Sequence, residues 1–170
     1  MSERKRVTKK IHIERILWDS TDFRVSYQTI IETLAHDIQK AMDEESVSFD
    51  FICGIPRGGM IPAVSLAHIL EIPIMEFCDE RIHVNNILFV DDIVHSGRTA
   101  VELPQNHSVL RYKTVSVVKN EIASDDVIWK CGIEVGKNVW VKFPWESEIT
   151  IQQAIKKMKA HNSASDLDDE

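Results

Sequence analysis

Ile87-Leu88-Phe89-Val90-Asp91-Asp92-Ile93-Val94-His95-Ser96-Gly97-Arg98-Thr99 carries more information than any other part of the chain. The apolar run 86–90 suits a parallel strand buried on both faces. Two carboxylates follow at the strand tip, then a loop bearing Ser, Gly and Thr, then a helix start near Arg98. Such a loop can turn its backbone N–H groups inward as an anion cradle. The helix N-terminus adds a dipole favourable to phosphate, and Ser96 and Thr99 add hydroxyl donors. Asp91 and Asp92 suit neutral hydroxyls such as a ribose diol, or a magnesium ion. Phosphate and diol together describe a sugar phosphate. A polar strand-to-helix turn with capping acids accounts for one Asp, but not for the whole pattern. A phosphoacceptor receiver domain has its acid pair near the chain start. Here the pair is central and a glycine loop follows at once.

Working outward, a helix is expected after Ser26 as N-cap, with Tyr27, Ile30, Ile31, Leu34, Ile38 and Met42 on its buried face. Residues 49–53 read as a strand that runs into the turn Gly54-Ile55-Pro56-Arg57-Gly58-Gly59. A second helix, 60–70, follows. Residues 72–77 suggest a strand at a sheet edge or with a late start, because Pro73 cannot donate to a ladder. Past the central segment, Pro104 limits the helix that starts near Arg98. Residues 114–118 form a β-branched fourth strand, 139–141 a fifth, and 150–161 a helix. Strands alternating with helices imply an α/β fold with a central, mostly parallel sheet. Ligands of such sheets sit at the carboxyl ends of the strands. The turns after Cys53 and Val90 both fall there.

The chain of 170 residues, 44% hydrophobic and 28% charged, fits one globular domain. Its net charge of −7 argues against general nucleic-acid binding. No apolar run approaches a membrane span, and the start has no secretory pattern. Arg4, Lys5, Arg6, Lys9 and Lys10 make a basic start, and Asp166, Asp168, Asp169 and Glu170 an acidic end. The expected layout is a flexible basic segment 1–12, a domain 13–161 and a flexible acidic tail 162–170. Cys53, Cys78 and Cys131 form no CxxC pair, so neither a disulfide framework nor a zinc site is suggested. Buried inert thiols and a cytoplasmic location are the expectation.

The central stretch resembles the PRPP-binding signature of type I phosphoribosyltransferases: four apolar residues, two acids and a (Ser/Thr)-Gly-x-Thr loop. The resemblance spans about Ile13 to Ser147 and is nearest to the bacterial xanthine/guanine (6-oxopurine) enzymes. It implies their fold, a parallel sheet flanked by helices with a small hood. It implies that Asp91 and Asp92 hold the ribose hydroxyls, with Asp92 near Mg²⁺. Ile93, Val94, His95, Ser96, Gly97, Arg98 and Thr99 would wrap the 5′-phosphate. Pro56, Arg57, Gly58 and Gly59 resemble the pyrophosphate loop, where a forked guanidinium grips an anion. Lys119 would donate to the purine O6, while Trp140 stacks on the base beside Val141. Asp91, Asp92, His95 and Arg57 would be the catalytic set, acting on PRPP and a purine base in a homodimer or homotetramer.

Two departures matter. His95 stands where the 6-oxopurine enzymes carry an Asp near N7, and histidine can do that proton work. Only residues 78–85 separate the expected third strand from the next, where relatives carry a long lid that excludes water. Three functions fit: a purine salvage phosphoribosyltransferase, a non-catalytic PRPP or nucleotide sensor, and a phosphoribosyltransferase for another base.

Overall fold

The computed structural model describes residues 16–17, 23–76, 86–106, 109, 111–136, 140–141, 143 and 145–146. The basic start, the segment 77–85, the expected helix 150–161 and the acidic tail lie outside the described residues. The described residues fall into two compact units. The larger is Arg24–Lys137, and the smaller includes the short strands β1 (Ile16–Leu17) and β7 (Trp140–Val141). In the smaller unit these two strands pair in parallel, Ile16 with Trp140 and Leu17 with Val141. Of the expected strand 139–141, the described part Trp140–Val141 is a strand, but not a member of the main sheet.

The larger unit is built on a five-stranded sheet in the order β3-β2-β4-β5-β6, with every adjacent pair parallel. Its strands are β2 (Phe51–Gly54), β3 (Ile74–Met75), β4 (Ile87–Val94), β5 (Tyr112–Asn120) and β6 (Lys130–Val135). The helices are α1 (Phe23–Glu45), α2 (Met60–Leu70) and α3 (Arg98–Asn106). Ile87, Leu88, Phe89 and Val90 are fully buried, as are Val115, Val117 and Val118 beside them on β5. That is the signature of central parallel strands covered on both faces. β3 lies at the sheet edge, as Pro73 required, and the carbonyl of Pro73 accepts from the Ile52 amide at 2.8 Å.

The structure corrects several boundaries. α1 begins at Phe23, so Ser26 lies inside the helix and does not cap it. Phe23 extends the 3.6-residue apolar spacing of Tyr27, Ile31 and Leu34 backwards by a turn. Its buried face is Ile31, Leu34, Ala35, Ile38 and Ala41. β4 runs on through both acids to Val94, because β5 accompanies it there: Asp91 pairs with Ser116, Ile93 with Val118 and Val94 with Lys119. On its other side β2 stops at the Gly54–Val90 pair. Asp91 and Asp92 thus stand within a strand whose one flank has been left by its neighbour. Pro104 does not stop α3, which continues to Asn106. It sits near the C-terminal end of a short helix, so the cost is one amide-to-carbonyl bond and the helix has only two more residues to run.

β6 was not expected. Its Cys131, Ile133 and Val135 alternate with Lys130, Gly132 and Glu134, but the glycine weakens the pattern. The fold needs that glycine: a Cβ at 132 would lie 2.5 Å from Ile30 Cγ2 and 2.8 Å from the Val117 carbonyl oxygen. α1 packs this closely on the sheet only because position 132 has no side chain. Of the three cysteines, Cys53 is buried and Cys131 half-buried, neither in a disulfide, and Cys78 lies outside the described residues.

Candidate functional site

Asp91 and Asp92 are adjacent, half-buried carboxylates in β4. The Asp91 carboxylate accepts from the Asp92 amide at 3.0 Å, and Asp92 accepts from the Ile93 amide at 2.8 Å. Burial, and then the negative charge of Asp92, push the Asp91 pKa up to about 8. The pair therefore tends to hold one proton near neutrality. Donors such as a diol, or a cation, would relieve the repulsion and release that proton. Among the described residues no group of three or more metal-ligating side chains exists. Two carboxylates fit a Mg²⁺ ion that keeps waters and phosphate oxygens as its other ligands.

Beyond Val94 the chain turns through His95, Ser96 and Gly97 into α3. Gly97 has φ +81°, a left-handed conformation that favours glycine. A Cβ there would also press to 3.0 Å from Val127 Cγ1. The first bond back along the helix runs from the Val101 amide to the Gly97 carbonyl at 3.2 Å. The amides before it are the orphan donors of a helix N-terminus. They line a concavity of about 140 Å³ with Asp91, Ile93, His95, Ser96 and Thr99. His95, Ser96, Arg98 and Thr99 are exposed there. The partly covered His95 ring nonetheless has its pKa pushed below the ordinary histidine value by desolvation, which favours the neutral imidazole. Arg98 is engaged by Glu102 at 2.7 Å. Concavities of about 450 and 440 Å³ lie elsewhere. The larger opens beside the amino ends of β2, β4 and β5, around Phe49, Asn86 and Arg111. Size does not decide here. Of these three concavities, only the small one combines orphan amides with a carboxylate of the acid pair.

The glycine turn after β2 is brought against the acids. The Ile55 amide donates to the Val90 carbonyl at 2.8 Å, extending the ladder past the end of β2. A Cβ at Gly58 would fall 1.7 Å from Asp92 Oδ2, and one at Gly59 2.3 Å from the Val90 carbonyl oxygen. The two glycines thus allow the turn to sit directly on the acid pair. The Pro56–Arg57 peptide is cis. Arg57 is exposed at the crest of the turn and makes no ion pair among the described residues.

Lys119 is not a surface lysine. It is 5% exposed, and its Nζ donates to Asp125 and, at 3.5 Å, to Glu134. The hydrogen bond to Asp125, with both negative charges, raises its pKa and keeps it cationic. Neither carboxylate stood out in the sequence, because no spacing rule ties Asp125 or Glu134 to position 119. Val141 is buried in the smaller unit, and the Trp140 side chain lies outside what the structure describes.

No protein-family model matches the chain. Solved structures do. A purine phosphoribosyltransferase from Pyrococcus horikoshii aligns over 73% of this chain and 91% of its own, at 25% identity and a TM-score of 0.57. A Neisseria gonorrhoeae protein with bound ppGpp aligns over 85% of this chain and 96% of its own, at 21% identity and a TM-score of 0.60. The Helicobacter pylori xanthine-guanine-hypoxanthine phosphoribosyltransferase aligns over 79% and 96%, at 16% identity and a TM-score of 0.56. The chain has the type I phosphoribosyltransferase fold. The purine and 6-oxopurine phosphoribosyltransferases among its structural neighbours are the same class that the central motif resembles. Among the described residues, no helix is long and apolar enough to cross a membrane.

Proposed function

We propose that this protein transfers 5-phosphoribose from PRPP to a 6-oxopurine base (xanthine, guanine or hypoxanthine), giving the nucleoside monophosphate and pyrophosphate. The observation that carries the reading is the seat of the glycine turn on the acid pair, with the Gly58 Cβ position 1.7 Å from Asp92 Oδ2. It joins a candidate pyrophosphate loop to a candidate ribose site, and α3 adds a phosphate-binding N-terminus beside them.

In this reading the amides and hydroxyls of 95–99 hold the 5′-phosphate, and Asp91 and Asp92 accept from the ribose hydroxyls. Arg57, with the amides at Gly58 and Gly59, grips the pyrophosphate as its bond to C1 breaks. Stabilising charge on that leaving group, in a fixed frame, is the protein's main contribution. Mg²⁺, held through Asp92 and the substrate oxygens, would supply further neutralisation of the departing pyrophosphate. Neutral His95 is suited to accept a proton from the base, the work an Asp does in relatives. Lys119 favours a base carbonyl. By the same likeness the protein acts in the cytoplasm as a homodimer or homotetramer.

A second reading is a nucleotide-binding regulator on the same fold. The ppGpp held by the Neisseria gonorrhoeae protein favours it, as does the short 78–85 segment. Incubation with Mg·PRPP and each of guanine, xanthine, hypoxanthine, adenine and uracil, followed by chromatography, separates the two. Nucleoside monophosphate from a 6-oxopurine supports the transferase. Tight nucleotide binding with no product from any base overturns it in favour of the regulator.

A further inference from the structure

Lys119 and Asp125 form an unequal pair. The lysine side chain is 6% exposed and the Asp125 side chain 92% exposed, yet they are hydrogen-bonded. Glu134, register partner of Lys119 on β6, already offers the ammonium a second carboxylate at 3.5 Å. Burial of the lysine does not require both acids, because one carboxylate neutralises one ammonium.

What Asp125 adds is a pattern. An ammonium has three N–H donors, and two are engaged by the carboxylates. A carboxylate has several acceptor sites, and Asp125 gives one oxygen to Lys119 while the rest of the group faces solvent. A donor and an acceptor therefore stand side by side. They also border the phosphate loop. Lys119 pairs with Val94, the residue before His95, at the strand spacing of about 4.8 Å. Val127, two positions after Asp125, is what a Cβ at Gly97 would meet at 3.0 Å.

We propose that Asp125 is a specificity-determining residue: with Lys119 it reads the edge of the base, selecting a ring carbonyl beside a ring N–H. The carbonyl accepts from Lys119 and the adjacent N–H donates to Asp125. A base with an amino group beside an unprotonated ring nitrogen sets donor against donor and acceptor against acceptor. A mismatched base meets a like donor at Lys119 and a like acceptor at Asp125, and forgoes both hydrogen bonds. The proposal rests on the reading that the 95–99 loop binds the phosphate of a nucleotide.

The test uses the full chain and isothermal titration with IMP, AMP and ribose 5-phosphate. The wild type is expected to favour IMP over AMP by at least about tenfold. Asp125→Ala should lower that ratio severalfold by weakening IMP, with ribose 5-phosphate affinity unchanged. Asp125→Asn keeps an oxygen for Lys119 and turns an N–H₂ donor toward the ring nitrogen, so AMP affinity should rise above wild type. A merely structural role would not move the two nucleotides in opposite directions. Should Asp125→Ala not fold, Asp125→Asn decides alone. An unchanged IMP/AMP ratio in the folded variants, with ribose 5-phosphate still bound, overturns the role of Asp125 and leaves the phosphate loop standing. Failure of the wild type to bind ribose 5-phosphate sinks the loop reading, and this proposal with it.

Discussion

Gly58→Ala isolates the contact on which the site is built. The added methyl carbon would sit 1.7 Å from Asp92 Oδ2 and 2.2 Å from Asp92 Cγ. Favourable heavy-atom contact begins near about 3.5 Å, so the two groups overlap by roughly half that distance. Gly58 needs no left-handed backbone, so the whole effect is steric. Either the turn lifts off β4 or the Asp92 carboxylate swings away. A swing forfeits the bond from the Ile93 amide to Asp92 Oδ1, now 2.8 Å. A hydrogen bond to a charged group contributes about 1.5–3 kcal/mol. That loss falls on the stability of the folded protein, while displacement of a carboxylate that the ribose would meet is expected to raise the Kd for Mg·PRPP by at least about tenfold, which is about 1.4 kcal/mol. Titration calorimetry with Mg·PRPP measures the change in Kd, with a thermal melt alongside. Gly59→Ala is the contrast: its Cβ would meet the Val90 and Ile55 carbonyl oxygens at 2.3 and 2.7 Å, which are backbone and cannot rotate away. It should lower the melting temperature far more than Gly58→Ala does. Gly58→Ala binding Mg·PRPP within twofold of wild type would refute the reasoning.

Three further outcomes follow from particular contacts. Asp91 has a folded pKa raised to about 8 from an unfolded value near 3.8, so the folded state binds the extra proton between those values. Stability of the ligand-free protein from this group is therefore full below about pH 4 and declines as pH rises toward 8. Asp91→Asn should melt higher than wild type at pH 8, converge with it near pH 4, and lose ribose binding; equal melting at pH 8 contradicts this. Gly132→Ala should cost about 1–3 kcal/mol in urea denaturation, because its methyl would overlap Ile30 and the Val117 carbonyl. Thr114 is 2% exposed and its hydroxyl has no hydrogen-bond partner among the described residues, so Thr114→Val should be neutral or stabilising by up to about 1 kcal/mol in the same assay.

The parts of the fold legible in the sequence are those where one local signal dominates. The run 87–90 is apolar without interruption, and it became the sheet centre. α2 is legible because a glycine turn opens it and 71–73 closes it, Glu71 taking a left-handed C-cap. What was not legible depends on neighbours. β4 extends past its apolar run only because β5 continues beside it, and Asp91 and Asp92 carry no strand signal of their own. β6 was hidden by Gly132, whose purpose is visible only once Ile30 is packed against it. In the candidate site, the motif places the acids beside the 95–99 loop, the candidate phosphate site, and the structure adds the seat of Gly58 on Asp92. The environment of Lys119 was out of reach, because its partners come from a loop and a neighbouring strand.

A crystal structure with a bound purine 5′-monophosphate tests the central claim most directly. The account predicts the phosphate over the amides of 96–99 and the ribose hydroxyls within hydrogen-bond distance of Asp91 and Asp92. A nucleotide bound elsewhere, with the turn from Val90 to Thr99 making no contact to it, would contradict the account.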